Sequence, residues 1–171
     1  IAPPEWLQEF SRLYRRDIGL PFFCMGRFNL INAENAALMK EAGCVSMYCA
    51  IEAGNERIRN KIANRNQSRE QILTGARLLH EAGIAICAEN IIGFPTESIA
   101  EMHETVELNI AAGLDCSLVS VLNPFPGTLI AAIAQEHKCF SPDYTNLPDS
   151  FYEGTPLNYS PREKKQIARL R

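Results

Sequence analysis

The sequence predicts an α/β fold in which parallel strands alternate with helices, a partial (β/α) barrel of the TIM-like kind. Three observations carry this prediction. Helix-like stretches end on glycine and run straight into apolar, strand-like runs at Glu41-Ala42-Gly43, Glu81-Ala82-Gly83 and Ala111-Ala112-Gly113. Glycine after a helix supplies the left-handed cap residue. The apolar runs then end in polar, Gly/Pro-marked loops: Glu52-Ala53-Gly54-Asn55, Gly93-Phe94-Pro95-Thr96-Glu97 and Asn123-Pro124-Phe125-Pro126-Gly127-Thr128. Alternating helix and strand implies crossover connections. The strands are then parallel, and their C-terminal ends share the face where ligands bind.

Each element has a local cause. Residues 4–17 read as a helix opened by Pro3 and Pro4, with Trp6, Leu7, Phe10, Leu13 and Tyr14 in its apolar pattern. Residues 20–25 read as a short strand, and Asn32 can cap a helix over 33–42. Residues 45–51 alternate: Val45, Met47, Cys49 and Ile51 share one face, Ser46, Tyr48, Ala50 and Glu52 the other. In a barrel the first face meets the helices and the second the lumen. Asn55 can cap a short helix over 56–63. Ser68 with Gln71, and Ser98 with Glu101, form capping boxes for helices over 69–82 and 99–112. Strands are expected at 84–92 and 116–122, and a helix near 128–137. From residue 141 the pattern decays into Pro, Asp, Asn and Tyr, and Pro161–Arg171 reads as a basic, solvated helix. The expected layout is a helix followed by four βα units, with 1–140 as a barrel portion and 141–171 as a C-terminal extension. Four strands are too few to close an eight-stranded barrel. A parallel sheet that opens on a helix reads as the later part of a longer barrel, with a processed N-terminus as the plainer alternative.

Composition narrows the function classes. The 171 residues suit one domain with a real core, 46% are hydrophobic and 22% charged, as in globular proteins. A net charge of −3 argues against a nucleic-acid or membrane-surface partner and leaves a small molecule as the expected one. No apolar run reaches the roughly 18 residues of a membrane-spanning helix. The cysteines at 24, 44, 49, 87, 116 and 139 show no CxxC or CxxxCxxC spacing, so no metal or cluster site is expected from neighbouring cysteines. They are expected as reduced thiols, mostly buried, which points to the cytoplasm. GxGxxG, Walker A, GxSxG and HExxH signatures are absent.

The unusual residues gather at strand ends. Glu52 closes its strand on the lumen side, where a carboxylate can accept hydrogen bonds from hydroxyl or ammonium groups, or be a solvated loop residue. Gly54 lets a ligand approach the backbone, or makes a turn. Glu89 and Asn90 interrupt an apolar strand, and only one of them can face the lumen. The loop Gly93–Glu97, with Pro95, feeds a helix whose backbone amides can bind electron-rich groups. Asn123 and Pro124 open a constrained loop able to present a flat stacking surface or a rigid turn. Arg27 and Arg65 could each hold a carboxylate bidentately, or lie on the surface.

Taken together these motifs resemble the radical S-adenosylmethionine superfamily. The segment Met47-Tyr48-Cys49-Ala50-Ile51-Glu52-Ala53-Gly54-Asn55-Glu56-Arg57-Ile58 resembles the family's "GIESGSERIL" element, and Asn64-Arg65-Asn66 its "KRN" element. Ile91–Ser98 resembles "IIGLPGET", Pro124–Thr128 resembles "PYPGT", and Ile18–Arg27 resembles "IGLPFSCNTR", a form typical of members with a cobalamin-binding domain. The resemblance implies about four βα units of a six-stranded barrel, its third to sixth strands. It implies S-adenosylmethionine and a [4Fe–4S] cluster as cofactors, and cobalamin in the narrower subgroup. The CxxxCxxC cluster loop would lie in an N-terminal part of the same protein, since none of the six cysteines here matches a ligand. By analogy Glu52 would contact the ribose or amino group, Arg65 the methionine carboxylate, and Asn90 or Glu89 the ribose. Gly54, Gly93, Pro95 and Pro124 would adjoin the cofactor, with Arg27 and Asn123 on the substrate side. The sequence departs from the family at Ala50, Ala53, Thr96 and Met25-Gly26, and the last of these bears on Arg27. The implied chemistry is adenosylmethionine cleavage to a 5′-deoxyadenosyl radical that abstracts hydrogen, serving cobalamin-dependent methyl transfer or a rearrangement. A degenerate, non-catalytic binding barrel and a conventional phosphate-binding barrel enzyme are the competing readings.

Overall fold

The computed structural model describes residues 3–171. It contains α1 (Pro4–Asp17), β1 (Phe22–Gly26), α2 (Ala33–Ala42), β2 (Cys44–Glu52), α3 (Arg69–Glu81), β3 (Ala85–Ile92), α4 (Ile99–Ala111), β4 (Cys116–Val121), α5 (Leu129–Glu136) and α6 (Pro161–Leu170). The four strands form one parallel sheet in the order β1-β2-β3-β4, and helical crossovers join them. Gly43, Gly83 and Gly113 take φ of 106°, 71° and 66°, so each helix ends in the left-handed turn that its glycine makes cheap. The capping boxes are present: Ser68 Oγ accepts from Gln71 N–H at 3.1 Å, and Ser98 Oγ from Glu101 N–H at 3.2 Å.

The chain divides into two compact units. The first holds the chain up to Ile51, together with Gln67–Glu89 and Asn109–Ser117; the second holds Glu52–Asn66, Asn90–Leu108 and Leu118–Arg171. In the first unit α1 packs on α2, and α3 packs on a 3₁₀ turn at Phe28–Leu30. Gly75 permits that contact, because a Cβ there would lie 2.6 Å from the Phe28 carbonyl oxygen. Asp115 ties the start of β3 in place, accepting Ile86 N–H at 2.8 Å and facing His80 Nε2 at 3.1 Å.

The register of β2 departs from the expected alternation at one point. Phe22 pairs with Cys44 and Phe23 with Ser46, so Val45 is the extra residue of a bulge. Cys44 therefore takes the buried place expected for Val45, which is half exposed. Beyond the bulge Met47, Cys49 and Ile51 are buried, while Tyr48 and Ala50 face the open side. Phe23 and Met25 stand exposed on β1, and the rings of Phe23 and Tyr48 lie 5.8 Å apart. All six cysteines are free thiols; Cys44, Cys49 and Cys87 are buried and Cys116 is exposed. Burial pushes the Cys49 thiol up to about 12, which leaves it inert at neutral pH.

The second unit has two apolar clusters. One joins Ala53, Ile58, Phe94, Leu122, Ala134, Phe140 and Leu157; the other joins Ile92, Met102, Val121 and Ile167. Leu157 and Ile167 show that residues expected as a terminal extension contribute to these cores. The basic α6 is amphipathic, with Ile167 buried and its charges outside. Val121 N–H also donates to Phe151 O at 2.8 Å. Among the described residues no helix is long and apolar enough to cross a membrane.

Candidate functional site

The end of β2 carries a constrained stretch of backbone. Glu52 adopts φ of 69°, a left-handed conformation that costs a non-glycine residue of order 1–3 kcal/mol and persists only when its surroundings hold it. The chain then makes a π-helical turn, Ile58–Ile62, closed by Ala63 N–H donating to Ile58 O at 2.9 Å. Such turns are frequent at functional sites. Asn64 and Asn66 return the chain with φ of 52° and 51°; asparagine tolerates this region better than most residues. Arg65 lies between them, and its guanidinium meets the Glu52 carboxylate at 3.0 Å. Their side chains are partly buried, 30% and 16% exposed.

The loop between this pair is held from several sides. Gly54 N–H donates to Thr105 Oγ1 at 2.8 Å, and Asn55 donates to both Glu104 carboxylate oxygens at 3.0 and 3.1 Å. A Cβ on Gly54 would overlap the backbone of Glu104 and Thr105. The close approach that this glycine permits is therefore made by α4. Asn55 Oδ1 accepts Ile58 N–H at 3.2 Å, the expected cap. Arg57 donates to Glu101 at 2.8 Å and to Thr96 O at 3.0 Å, tying the β2 loop to the β3 loop. Despite desolvation, the Ser98 N–H and the Arg57 guanidinium hold the Glu101 carboxyl below its ordinary range.

The loop after β3 is built around Glu97, which sequence reasoning placed in the loop without giving it a role. Its Oε2 accepts Gly93 N–H at 2.7 Å and Phe94 N–H at 2.9 Å, while Oε1 is buried and has no partner. The amides expected to face a ligand are thus engaged by the protein's own carboxylate. Burial pushes Glu97 up to about 7, against the pull of those amides and of Arg57. Tyr159 reaches in from the C-terminal segment and shares its hydroxyl between Phe94 O at 2.9 Å and Glu97 O at 2.8 Å. Gly93 and Thr96 are left-handed, at 82° and 65°, and Pro95 is buried.

The remaining expected residues are placed as follows. Asn90 is buried on the face of β3 shared with Ile92, and Glu89 is exposed on the other. Asn123 and Pro124 are buried after β4, and Asn123 Oδ1 has no partner. Arg27 is exposed at the end of β1, in the first unit, as Glu89 is in its own strand. Sequence reasoning also missed Arg59, whose side chain is fully buried; no local pattern marks an arginine inside a turn.

The residues present suit part of the expected chemistry. The Glu52–Arg65 pair offers an acceptor and a donor of the kind an α-amino acid zwitterion needs, and Asn123 Oδ1 is an acceptor awaiting a donor. No ligand set for a [4Fe–4S] cluster exists: among the described residues no three His, Cys, Asp or Glu side chains gather to hold a metal.

Comparison with known proteins agrees with this architecture. The family model described as the Radical SAM superfamily matches residues 7–108. An uncharacterised methyltransferase of Pyrococcus horikoshii is 26% identical over 117 residues, 68% of this chain and 25% of that protein. A tRNA-2-methylthio-N(6)-dimethylallyladenosine synthase of Trichlorobacter lovleyi is 37% identical over 95 residues, 54% of this chain and 22% of that protein. The chain thus spans about a quarter of the length of the curated relatives it matches. Among solved structures, the radical SAM enzyme coproporphyrinogen III oxidase of Escherichia coli superposes with a TM-score of 0.69 at 16% identity, over 98% of this chain and 36% of that one. The radical S-adenosylmethionine methyltransferase TsrM of Kitasatospora setae, with cobalamin and a [4Fe–4S] cluster bound, gives 0.64 at 21%, over 78% and 26%.

Proposed function

We propose, for a chain that belongs to the radical SAM superfamily, that its second unit binds S-adenosylmethionine at the ends of β2, β3 and β4. The observation that carries the reading is the Glu52–Arg65 pair, two partly buried, opposite charges 3.0 Å apart beside left-handed backbone. An α-amino acid inserts between such charges, its ammonium on Glu52 and its carboxylate on Arg65, and each new contact is charge-assisted. The loop Gly93–Glu97 and the pair Asn123 and Pro124 would border the nucleoside, with Asn90 toward the ribose.

The intact protein is proposed to be a radical SAM enzyme. The family's cluster would take its ligands from outside these 171 residues, and no step of its chemistry is assigned to this chain. Methyl or methylthio transfer is the reaction class that the curated relatives favour. Cobalamin dependence is the narrower form of this proposal, supported by the Ile18–Arg27 segment and by the cobalamin-bound fold neighbour.

The test is equilibrium binding of adenosylmethionine to the intact protein and to Glu52→Ala and Arg65→Ala variants. Each variant should bind about 5- to 150-fold more weakly, the equivalent of about 1–3 kcal/mol for a lost charged partner. Unchanged affinity in both variants would remove the pair from the site.

A further inference from the structure

We infer that Arg59 is the positioning residue of this site: its buried guanidinium fixes the loop after Glu52, and its own backbone fixes Arg65. The inference rests on the reading of the Glu52–Arg65 pair given above.

A fully buried guanidinium is costly unless its protons are well placed. Arg59 Nη1 donates to Ala53 O at 2.8 Å and to Gly54 O at 2.7 Å, two consecutive carbonyls of the loop that leaves β2. Two neighbouring carbonyls turned onto one nitrogen orient both peptide planes, and with them the torsions just beyond Glu52. Arg59 Nη2 lies 3.8 Å from the carboxylate of Glu56, a side chain that is 62% exposed. On its other side the Arg59 carbonyl accepts Arg65 N–H at 3.0 Å. One residue in the π-helical turn therefore connects the two residues that follow Glu52 to the backbone of Arg65. Thr105 completes the clamp by accepting Gly54 N–H from α4.

A clamp of this kind acts on geometry. Glu52 keeps its left-handed φ because the following peptides cannot rotate, and Arg65 stays within reach of it. Loss of the clamp should loosen recognition of the amino acid end of the ligand and leave the nucleoside end untouched.

The experiment compares two ligands on the intact protein: S-adenosylmethionine, and methylthioadenosine, which lacks the amino acid portion. Arg59→Met should lose at least about 10-fold in affinity for adenosylmethionine while its affinity for methylthioadenosine stays within about 2-fold. Arg59→Lys keeps the charge with a shorter reach and should recover part of the loss. Thr105→Val releases the same loop without burying a charge change. It should show a smaller loss with the same ligand selectivity, and it serves if the arginine variants do not fold. Equal weakening for both ligands, or no weakening in any variant, would overturn the role of Arg59 alone. A wild-type protein that binds adenosylmethionine no better than methylthioadenosine would instead overturn the reading of the Glu52–Arg65 pair.

Discussion

Replacing Gly54 by alanine isolates a packing effect that the structure makes large. Gly54 has no left-handed φ to defend, so the cost comes from sterics alone. The new methyl would intrude on the Glu104 carbonyl group and the Thr105 nitrogen by roughly 1 Å or more beyond normal contact. Those atoms are helical backbone and cannot swing aside. Overpacking of this kind costs about 1–3 kcal/mol. Displacing the loop also breaks the 2.8 Å bond from Gly54 N–H to Thr105, worth about 1 kcal/mol. The expected loss is about 2–4 kcal/mol, or roughly 5–15 °C in melting temperature for a chain of this size. Urea unfolding followed by circular dichroism measures it. Gly127→Ala is the internal control: Gly127 has φ of 78° with nothing near its Cβ position, so only backbone strain of about 1 kcal/mol should appear. If Gly54→Ala unfolds at the same urea concentration as Gly127→Ala, or later, the close approach of the loop to α4 is wrong.

Two further outcomes follow from the β3 loop. Glu97 is raised from 4.5 to about 7 in the folded chain, so folding favours its protonated form. Its stabilising contribution is complete below about pH 4.5 and is lost as pH rises through about 7, a change on the order of 3 kcal/mol. Unfolding free energy from pH 5 to 8 should therefore fall in the wild type more than in Glu97→Gln, and parallel curves would refute the assignment. Tyr159→Phe removes the hydroxyl shared by Phe94 O and Glu97 O, and should cost about 1–2 kcal/mol in the same assay, since two buried carbonyls lose a donor. A loss below about 0.3 kcal/mol would mean that water replaces the hydroxyl.

The main fold elements were legible because their causes are local. The left-handed turns at Gly43, Gly83 and Gly113, the capping boxes at Ser68 and Ser98, and the period-two pattern of β2 each need only a few neighbouring residues. Parallel order then follows from alternation and crossover geometry. The bulge at Val45 was not legible, because it depends on the register against β1. Residues 141–171, expected as a C-terminal extension, take part in packing that their composition does not announce. Their polar, proline-marked composition suggests an appendage, while Leu157, Tyr159 and Ile167 pack within the second unit.

Sequence alone determined the strand ends at which charged and glycine-rich residues collect, and with them the family resemblance at Glu52, Arg65 and Gly93–Glu97. Only the tertiary structure decided what those residues touch. Gly54 makes room for α4, Glu97 engages the amides that a ligand was expected to meet, and Arg59 turns inward onto Ala53 and Gly54. Backbone conformation is governed by neighbours in the chain. The fate of a buried charge is governed by the carbonyls and amides that the completed fold brings to it.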